Sequence, residues 1–124
     1  MNAISTTNAP AAIGPYSQAI EANGTIYVSG QLPINPVTGE FAEGDIKDKA
    51  RRSLNNIKAI LAEAGMSMQN VAKVTVLLGD INDFAAVNEV YAEFFQAPYP
   101  ARSAFAVAAL PKGAPIEIEA IAVR

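Results

Sequence analysis

The most distinctive chemical feature of this sequence is a single arginine inside a long apolar tract. Residues 94–111, FFQAPYPARSAFAVAALP, contain one charged side chain, Arg102. A guanidinium at such a position has two ordinary uses. It extends to water or pairs with an acid such as Glu117 or Glu119, or it presents its planar fork of donors to the carboxylate of a ligand. The sequence pattern leaves both uses open.

A second feature is the pair of glutamates in the last apolar segment. Glu117 and Glu119 alternate with apolar residues in IEIEAIAV, residues 116–123, so both project from the same face of a β-strand. Solvated glutamates are the ordinary case. Partial burial, however, raises the pKa of a carboxyl group and makes it a candidate proton carrier. Carboxylate-assisted water chemistry is therefore one hypothesis.

Three other polar side chains are weaker candidates. Tyr16 and Ser17 lie in GPYSQA, residues 14–19. The Tyr16 hydroxyl could orient a ligand or a water molecule, although most tyrosine rings simply pack. Ser17 has no visible base, which argues against a nucleophilic serine. Asn88 lies on a predicted helix, off its apolar stripe, where a polar surface residue is the usual interpretation.

The composition excludes several kinds of chemistry. The chain has no cysteine and no histidine, which removes disulfides, thiolate nucleophiles, serine–histidine systems and the commonest zinc ligands. It has no nucleotide-binding glycine motif, so neither a metal nor a cofactor is expected. The 9 basic and 12 acidic residues form no basic stripe, which argues against nucleic acid as the main ligand.

No segment of the sequence predicts attachment to a membrane. The first twenty residues contain no basic region followed by a long apolar run, so no signal peptide is visible. No apolar stretch is long enough to predict a membrane-spanning helix. We expect one soluble, cytoplasmic domain that spans residues 1–124.

Hydrophobic periodicity and turn residues predict a ββαβαββ order of elements. The elements are two strands around Asn23-Gly24 within residues 17–29, a helix from an Asp45 N-cap to Gly65, a strand at 71–78, a helix capped by Asn82 or Asp83, and strands at 102–108 and 116–123. This order predicts an α+β fold in which two helices cover one face of a mixed sheet.

The second face of that sheet has no predicted cover. Residues 104–110 are apolar at every position, as in a strand buried on both faces. Ile121 and Val123 project on the side opposite the other apolar residues of the last strand. Because no third helix is available, another copy of the chain is the simplest cover. We predict a homo-oligomer with ligand sites in clefts between subunits.

Taken together, these motifs resemble the RidA/YjgF family. The similar segments are GPYSQA at 14–19, YVSGQLP at 27–33, NDFAAVNEVYAEFF at 82–95, PARSAF at 100–105 and LPKGAPIEIEAIA at 110–122. The resemblance extends over nearly the whole chain and is strongest to the enamine and imine deaminases. It implies a chorismate-mutase-like fold and a homotrimer with its sheets facing inward. It also implies hydrolysis of 2-aminoacrylate, 2-iminopropanoate or 2-iminobutanoate to 2-keto acids and ammonia.

The resemblance also implies a role for each candidate residue. Arg102 matches the family's arginine in P-A-R-S, which binds the substrate carboxylate. Glu117 matches the first glutamate of I-E-I-E, which is associated with the hydrolytic water. Tyr16, Gly30 and Asn88 match residues that line the site in related proteins.

Two departures from the family pattern accompany these matches. Ala104 stands where many relatives carry cysteine, which excludes a role for a thiol here. The segment 96–99 is shorter than in some relatives, which would reshape the rim of the cleft. Two alternatives to a deaminase stay open: a trimer that binds small 2-keto or amino acids in a regulatory role without turnover, and a ribonuclease or chaperone-type protein.

Overall fold

The fold consists of six strands and two helices, and the computed structural model describes residues 1–124. The elements are β1 (Asn2–Ile4), β2 (Ala19–Ala22), β3 (Thr25–Gln31), α1 (Ile46–Glu63), β4 (Val71–Leu78), α2 (Phe84–Phe94), β5 (Ala101–Ala106) and β6 (Ile116–Val123). This confirms the predicted fold class. The structure adds β1, which sequence analysis did not predict because three residues are too few to show a periodic pattern.

The strands form one mixed sheet in the order β1-β2-β3-β6-β4-β5. Only β4 and β5 are parallel neighbours, and every other adjacent pair is antiparallel. The chain passes through α1 between β3 and β4, and through α2 between β4 and β5. Helix α1 packs on β3 and β6, and α2 packs beside α1. The two helices thus lie on the same face, as predicted.

Local signals set most of the element boundaries. Asn23 and Gly24 have φ angles of 52° and 77°, the left-handed values that a tight hairpin between β2 and β3 requires. The Asp45 carboxylate accepts the backbone N–H groups of Lys47 and Asp48 at 3.0 and 3.1 Å and thereby caps α1. Gly65, with φ 73°, follows the end of α1. The predicted boundaries of this helix are therefore confirmed.

The start of α2 differs from the prediction. Asp83 occupies the N-cap position but makes no capping bond through its side chain. A short 3₁₀ turn, Ile81–Asp83, precedes the helix, and Asp80 caps that turn by accepting the N–H of Asn82 at 2.9 Å. The capping carboxylate thus lies one turn before the predicted position.

The core lies between the helices and one face of the sheet. Its fully buried side chains include Leu54, Ile57, Ile60 and Leu61 of α1, Ile26 of β3, Val74, Val76 and Leu78 of β4, and Ile116 and Ile118 of β6. The opposite face, which we call the open face, has no helix over it. Tyr27, Phe105 and Val123 point from it and are 51%, 48% and 45% exposed.

The segment predicted as a strand buried on both faces is instead exposed in the single chain. Strand β5 lies at the edge of the sheet, and its residues are half-exposed or exposed. An edge strand has a neighbour on one side only, and no element of the same chain covers the open face beside it.

No helix of the chain is both long enough and apolar enough to cross a membrane.

Candidate functional site

Arg102 is held by side chains of helix α2. In the parallel register of β4 and β5, Arg102 lies beside Val74, a core residue, so its side chain is on the helix side of the sheet. Its Nη1 donates to the Asn88 Oδ1 at 2.7 Å. The guanidinium carbon lies 4.7 Å from the ring centre of Tyr91 and 5.3 Å from that of Phe84, within the range of a cation–π interaction.

No carboxylate of the same chain neutralises this arginine. The ion pairs of the structure involve Lys47, Arg51 and Arg124, but not Arg102. The alternative in which Arg102 pairs with Glu117 or Glu119 is therefore wrong for the single chain. Since Asn88 engages one of five N–H groups and the residue is exposed, most of the donor fork is available to an anionic ligand.

Glu117 lies against Gly30 on the open face. It is opposite Leu77 of β4, and the register of β3 shifts between Val28 and Gln31, where Gly30 is located. A methyl group on Gly30 would lie only 1.9 Å from the Glu117 Oε2, so this glycine creates the space that the carboxylate occupies. Burial raises the pKa of Glu117, and the nearby charge of Glu119 raises that pKa further. A carboxyl group with a raised pKa is a candidate proton carrier.

This contact makes Gly30→Ala a sharp test of the Glu117 position. The clash is with the far end of a flexible side chain, so we expect the variant to fold while the carboxylate moves. A displacement of about 1 Å at a reacting group lowers kcat by about a hundredfold. The measurement is kcat for the imine hydrolysis that the family resemblance implies, together with the melting temperature. Gly79→Ala is the control, because its new methyl would make only ordinary contacts, at 3.6 Å and beyond; equal kcat in both variants would contradict the prediction.

Tyr16 lies on a loop that is tied to the residues beside Gly30. Its side chain is 53% exposed. The Ser29 hydroxyl donates to the backbone carbonyl of Ser17 at 2.6 Å, which fixes the residue after Tyr16 to the residue before Gly30. The buried Gln18 also holds this loop through hydrogen bonds to the backbone of Thr6, Ala9 and Pro10.

Four of the five candidate residues form two groups on opposite faces of the sheet. Arg102 and Asn88 lie on the helix side, whereas Glu117 and Gly30 lie on the open face. Strand β5, which carries Arg102, and strand β6, which carries Glu117, lie on either side of β4. Arg102 is paired with Val74 of β4, and Glu117 is paired with Leu77. Two strand spacings and a register offset of three residues therefore separate Arg102 from Glu117. This places their Cα atoms about 10 Å apart perpendicular to the strands and about 10 Å apart parallel to them. One chain does not bring Arg102 and Glu117 together around one small molecule.

The sequence pattern does not reveal the two aromatic rings that contact Arg102. Hydrophobic periodicity predicts Phe84 and Tyr91 only as members of the apolar stripe of this helix, and Asn88 as a surface residue. The available signal was spacing, because positions 84, 88 and 91 share one helical face. What brings Arg102 onto that face is the β4–β5 register, which no local pattern reveals.

Two surface cavities lie elsewhere on the chain. One, of about 480 Å³, is lined by polar residues that include Asn35, Arg51 and Arg52. The other, of about 880 Å³, lies beside Lys58 and Phe94. None of the five candidate residues lines either cavity. No cluster of three or more acidic side chains is arranged to hold a metal ion.

Comparison with known proteins gives consistent results. Residues 6–124 match the family described as Endoribonuclease L-PSP. The chain is 57% identical over 121 residues to the 2-iminobutanoate/2-iminopropanoate deaminase of Capra hircus. The aligned region covers 98% of this chain and 88% of that protein. Two Escherichia coli structures share its fold with a TM-score of 0.95, covering 100% of this chain and 99% of theirs: TdcF with bound serine, 50% identical, and the YjgF gene product, 51% identical.

Proposed function

This chain belongs to the RidA/YjgF family, and we propose that it is a deaminase that hydrolyses 2-iminopropanoate, 2-iminobutanoate and 2-aminoacrylate to 2-keto acids and ammonia. The observation that carries the proposal is an arginine with no acidic partner, oriented by Asn88 and two aromatic rings. Such a group suits the carboxylate that all these substrates share. Relatives that bear the name of this deaminase are 52–57% identical to the chain.

The proposed mechanism needs few groups because an imine carbon is already electrophilic. The enamine 2-aminoacrylate reacts as its imine tautomer, 2-iminopropanoate. The substrate carboxylate binds the free N–H groups of Arg102. Glu117, as the carboxylate, accepts a proton from a water molecule whose oxygen forms a bond to the imine carbon, while the C=N π electrons move to nitrogen. Glu117 then returns the proton to that nitrogen. Glu117 then takes the hydroxyl proton of the resulting carbinolamine and passes it to the amine nitrogen as the C–N bond breaks, so ammonia leaves and the C–OH carbon becomes the carbonyl of the 2-keto acid.

Two subunits complete each site in this proposal. A 2-imino acid has its reacting carbon directly next to its carboxylate, so Arg102 and Glu117 must approach within a few ångströms of one another. Because they lie on opposite faces of one sheet, Arg102 of one chain meets Glu117 and Gly30 of another. We propose a cytoplasmic homotrimer with its sheets facing inward. That arrangement also buries Tyr27, Phe105 and Val123, the half-exposed apolar side chains of the open face.

The test of the proposal is release of ammonia and keto acid from freshly generated 2-aminoacrylate. We expect the protein to accelerate both in equal amounts. Saturable binding of 2-oxobutanoate without any acceleration would instead support a non-catalytic binder. The structure of TdcF with bound serine suggests small amino acids as ligands for that alternative.

A ribonuclease function has less support from this surface. The only basic doublet of the chain is Arg51-Arg52. Arg51 is occupied by Glu93, whose two carboxylate oxygens accept its Nε and Nη2 at 3.0 and 2.8 Å. Arg52 donates to Asn56 in the helix layer. Neither arginine therefore adds to a free basic patch of the kind that binds phosphate backbones.

A further inference from the structure

The ring of Tyr91 lies closer to the Arg102 guanidinium than any other aromatic ring does. It is 4.7 Å from the guanidinium carbon, against 5.3 Å for Phe84. Tyr91 is only 6% exposed, and it packs against Phe95 with a ring-centre distance of 4.6 Å. A buried ring thus lies under an exposed arginine side chain.

The hydroxyl of Tyr91 does not explain the presence of this residue. It is buried and has no hydrogen-bond partner, and burial raises the pKa of the phenol. A buried, unpaired hydroxyl destabilises a fold. The contact that Tyr91 makes with Arg102 is therefore made by its ring and not by its hydroxyl.

We propose that Tyr91 is a positioning residue for substrate binding, whose buried ring fixes the direction of the Arg102 guanidinium. This inference rests on the proposed function. Asn88 fixes one N–H group of Arg102, and the Tyr91 ring fixes the position of the guanidinium through a cation–π contact. The remaining N–H groups are then oriented before the ligand arrives. A binding group that is already ordered loses less conformational entropy on binding, which raises affinity.

The experiment compares Tyr91→Leu, Tyr91→Phe and Val90→Ala. KM and kcat are measured with 2-iminopropanoate, the Kd of 2-oxobutanoate by calorimetry, and the melting temperature for each variant. The leucine variant removes the ring, and the phenylalanine variant restores it without the hydroxyl. Val90 is fully buried on the same helix and has no aromatic ring to place against Arg102, so its truncation controls for a general loss of packing. If Tyr91→Leu does not fold, Tyr91→Met, which keeps more of the side-chain volume, replaces it.

We expect Tyr91→Leu to raise KM and Kd about tenfold with little change in kcat. A tenfold rise is the effect expected from the loss of one cation–π contact. Tyr91→Phe should rescue both constants and melt at the same or a higher temperature than the wild type. Val90→Ala should lower the melting temperature without changing KM. Unchanged KM and Kd in Tyr91→Leu, or an equal rise in Val90→Ala, would overturn the inference.

Failure of the proposed function gives a different result. A wild-type protein that binds 2-oxobutanoate but does not hydrolyse the imine would refute the deaminase proposal, and the Kd values would still decide the role of Tyr91. A wild-type protein that does neither would refute both, because Arg102 would then bind no carboxylate for Tyr91 to position.

Discussion

Arg102→Ala is expected to lower kcat/KM for 2-iminopropanoate by about a hundredfold to ten-thousandfold. A bidentate contact with a carboxylate makes two charge-assisted hydrogen bonds, each contributing about 1.5–3 kcal/mol. Alanine removes both bonds. The fold should tolerate the change, because Arg102 is exposed and its side chain makes a single hydrogen bond, to Asn88.

Steady-state kinetics and the melting temperature test this result in the same preparations. Arg102→Lys should give intermediate activity, since an ammonium group keeps the charge but not the planar fork. Arg51→Ala is the matched control. It removes an arginine of the helix layer that is paired with Glu93, so activity should stay at the wild-type level. Equal activity in Arg102→Ala and the wild type would refute the carboxylate-binding role.

Glu117→Gln is expected to lower kcat by about a hundredfold to ten-thousandfold, the usual contribution of a positioned proton carrier. Glutamine has the same shape but cannot accept the proton of the attacking water. KM should change little, because the variant keeps Arg102, the proposed binding group for the carboxylate. Glu63→Gln, the same substitution at an exposed position of α1, should leave kcat unchanged. A Glu117→Gln enzyme with normal kcat would exclude Glu117 from the chemistry.

The same substitution should affect stability in the opposite direction. Burial and Glu119 raise the pKa of Glu117 in the folded protein, so the folded state favours the protonated form more than the unfolded state does. The ionised carboxylate therefore lowers stability at neutral pH, and this loss disappears below the unfolded pKa of about 4.3. We expect Glu117→Gln to melt at a higher temperature than the wild type at pH 7, with the difference shrinking as the pH falls. A Glu117→Gln variant that melts at a lower temperature at pH 7 would contradict this.

The pH dependence of kcat should follow from the same raised pKa. In the proposed mechanism Glu117 accepts a proton and must be ionised to do so, so kcat should fall on the acid side as pH drops through the pKa of Glu117. That midpoint should lie above the usual range for glutamate. Glu119→Gln removes the neighbouring charge that contributes to the shift and should move the midpoint to lower pH. An unmoved midpoint would assign the acid limb to another group.

The parts of the fold that sequence predicted well carry local signals. The Asn23-Gly24 turn, the Asp45 cap, Gly65 and the alternation of residues 116–123 are each recognisable within a few residues, and the corresponding elements are where they were predicted. The exposure of β5 could not be predicted in this way. It depends on the position of β5 at the sheet edge, which results from pairing between strands distant in sequence.

For the site, too, the sequence predicts the candidate residues but not their contacts. Residue type and an apolar context were enough to select Arg102 and Glu117 as candidates. The contacts of these residues depend on tertiary structure: Arg102 reaches Asn88 because β5 pairs with β4 in one register, and Glu117 reaches Gly30 because β3 is irregular at that point. The contact of Tyr91 with Arg102 could not be predicted, because a buried aromatic residue on a helix is usually a core residue.

A site completed by two subunits predicts that two inactive variants restore one another. Arg102→Ala and Glu117→Gln chains are denatured, mixed in equal amounts and refolded, so that they assemble at random. Each site then receives Arg102 from one chain and Glu117 from its neighbour, and about one site in four contains both intact side chains. We expect the mixture to recover about a quarter of wild-type activity, while each variant refolded alone stays inactive. A mixture as inactive as the separate variants would show that Arg102 and Glu117 do not meet across a subunit interface.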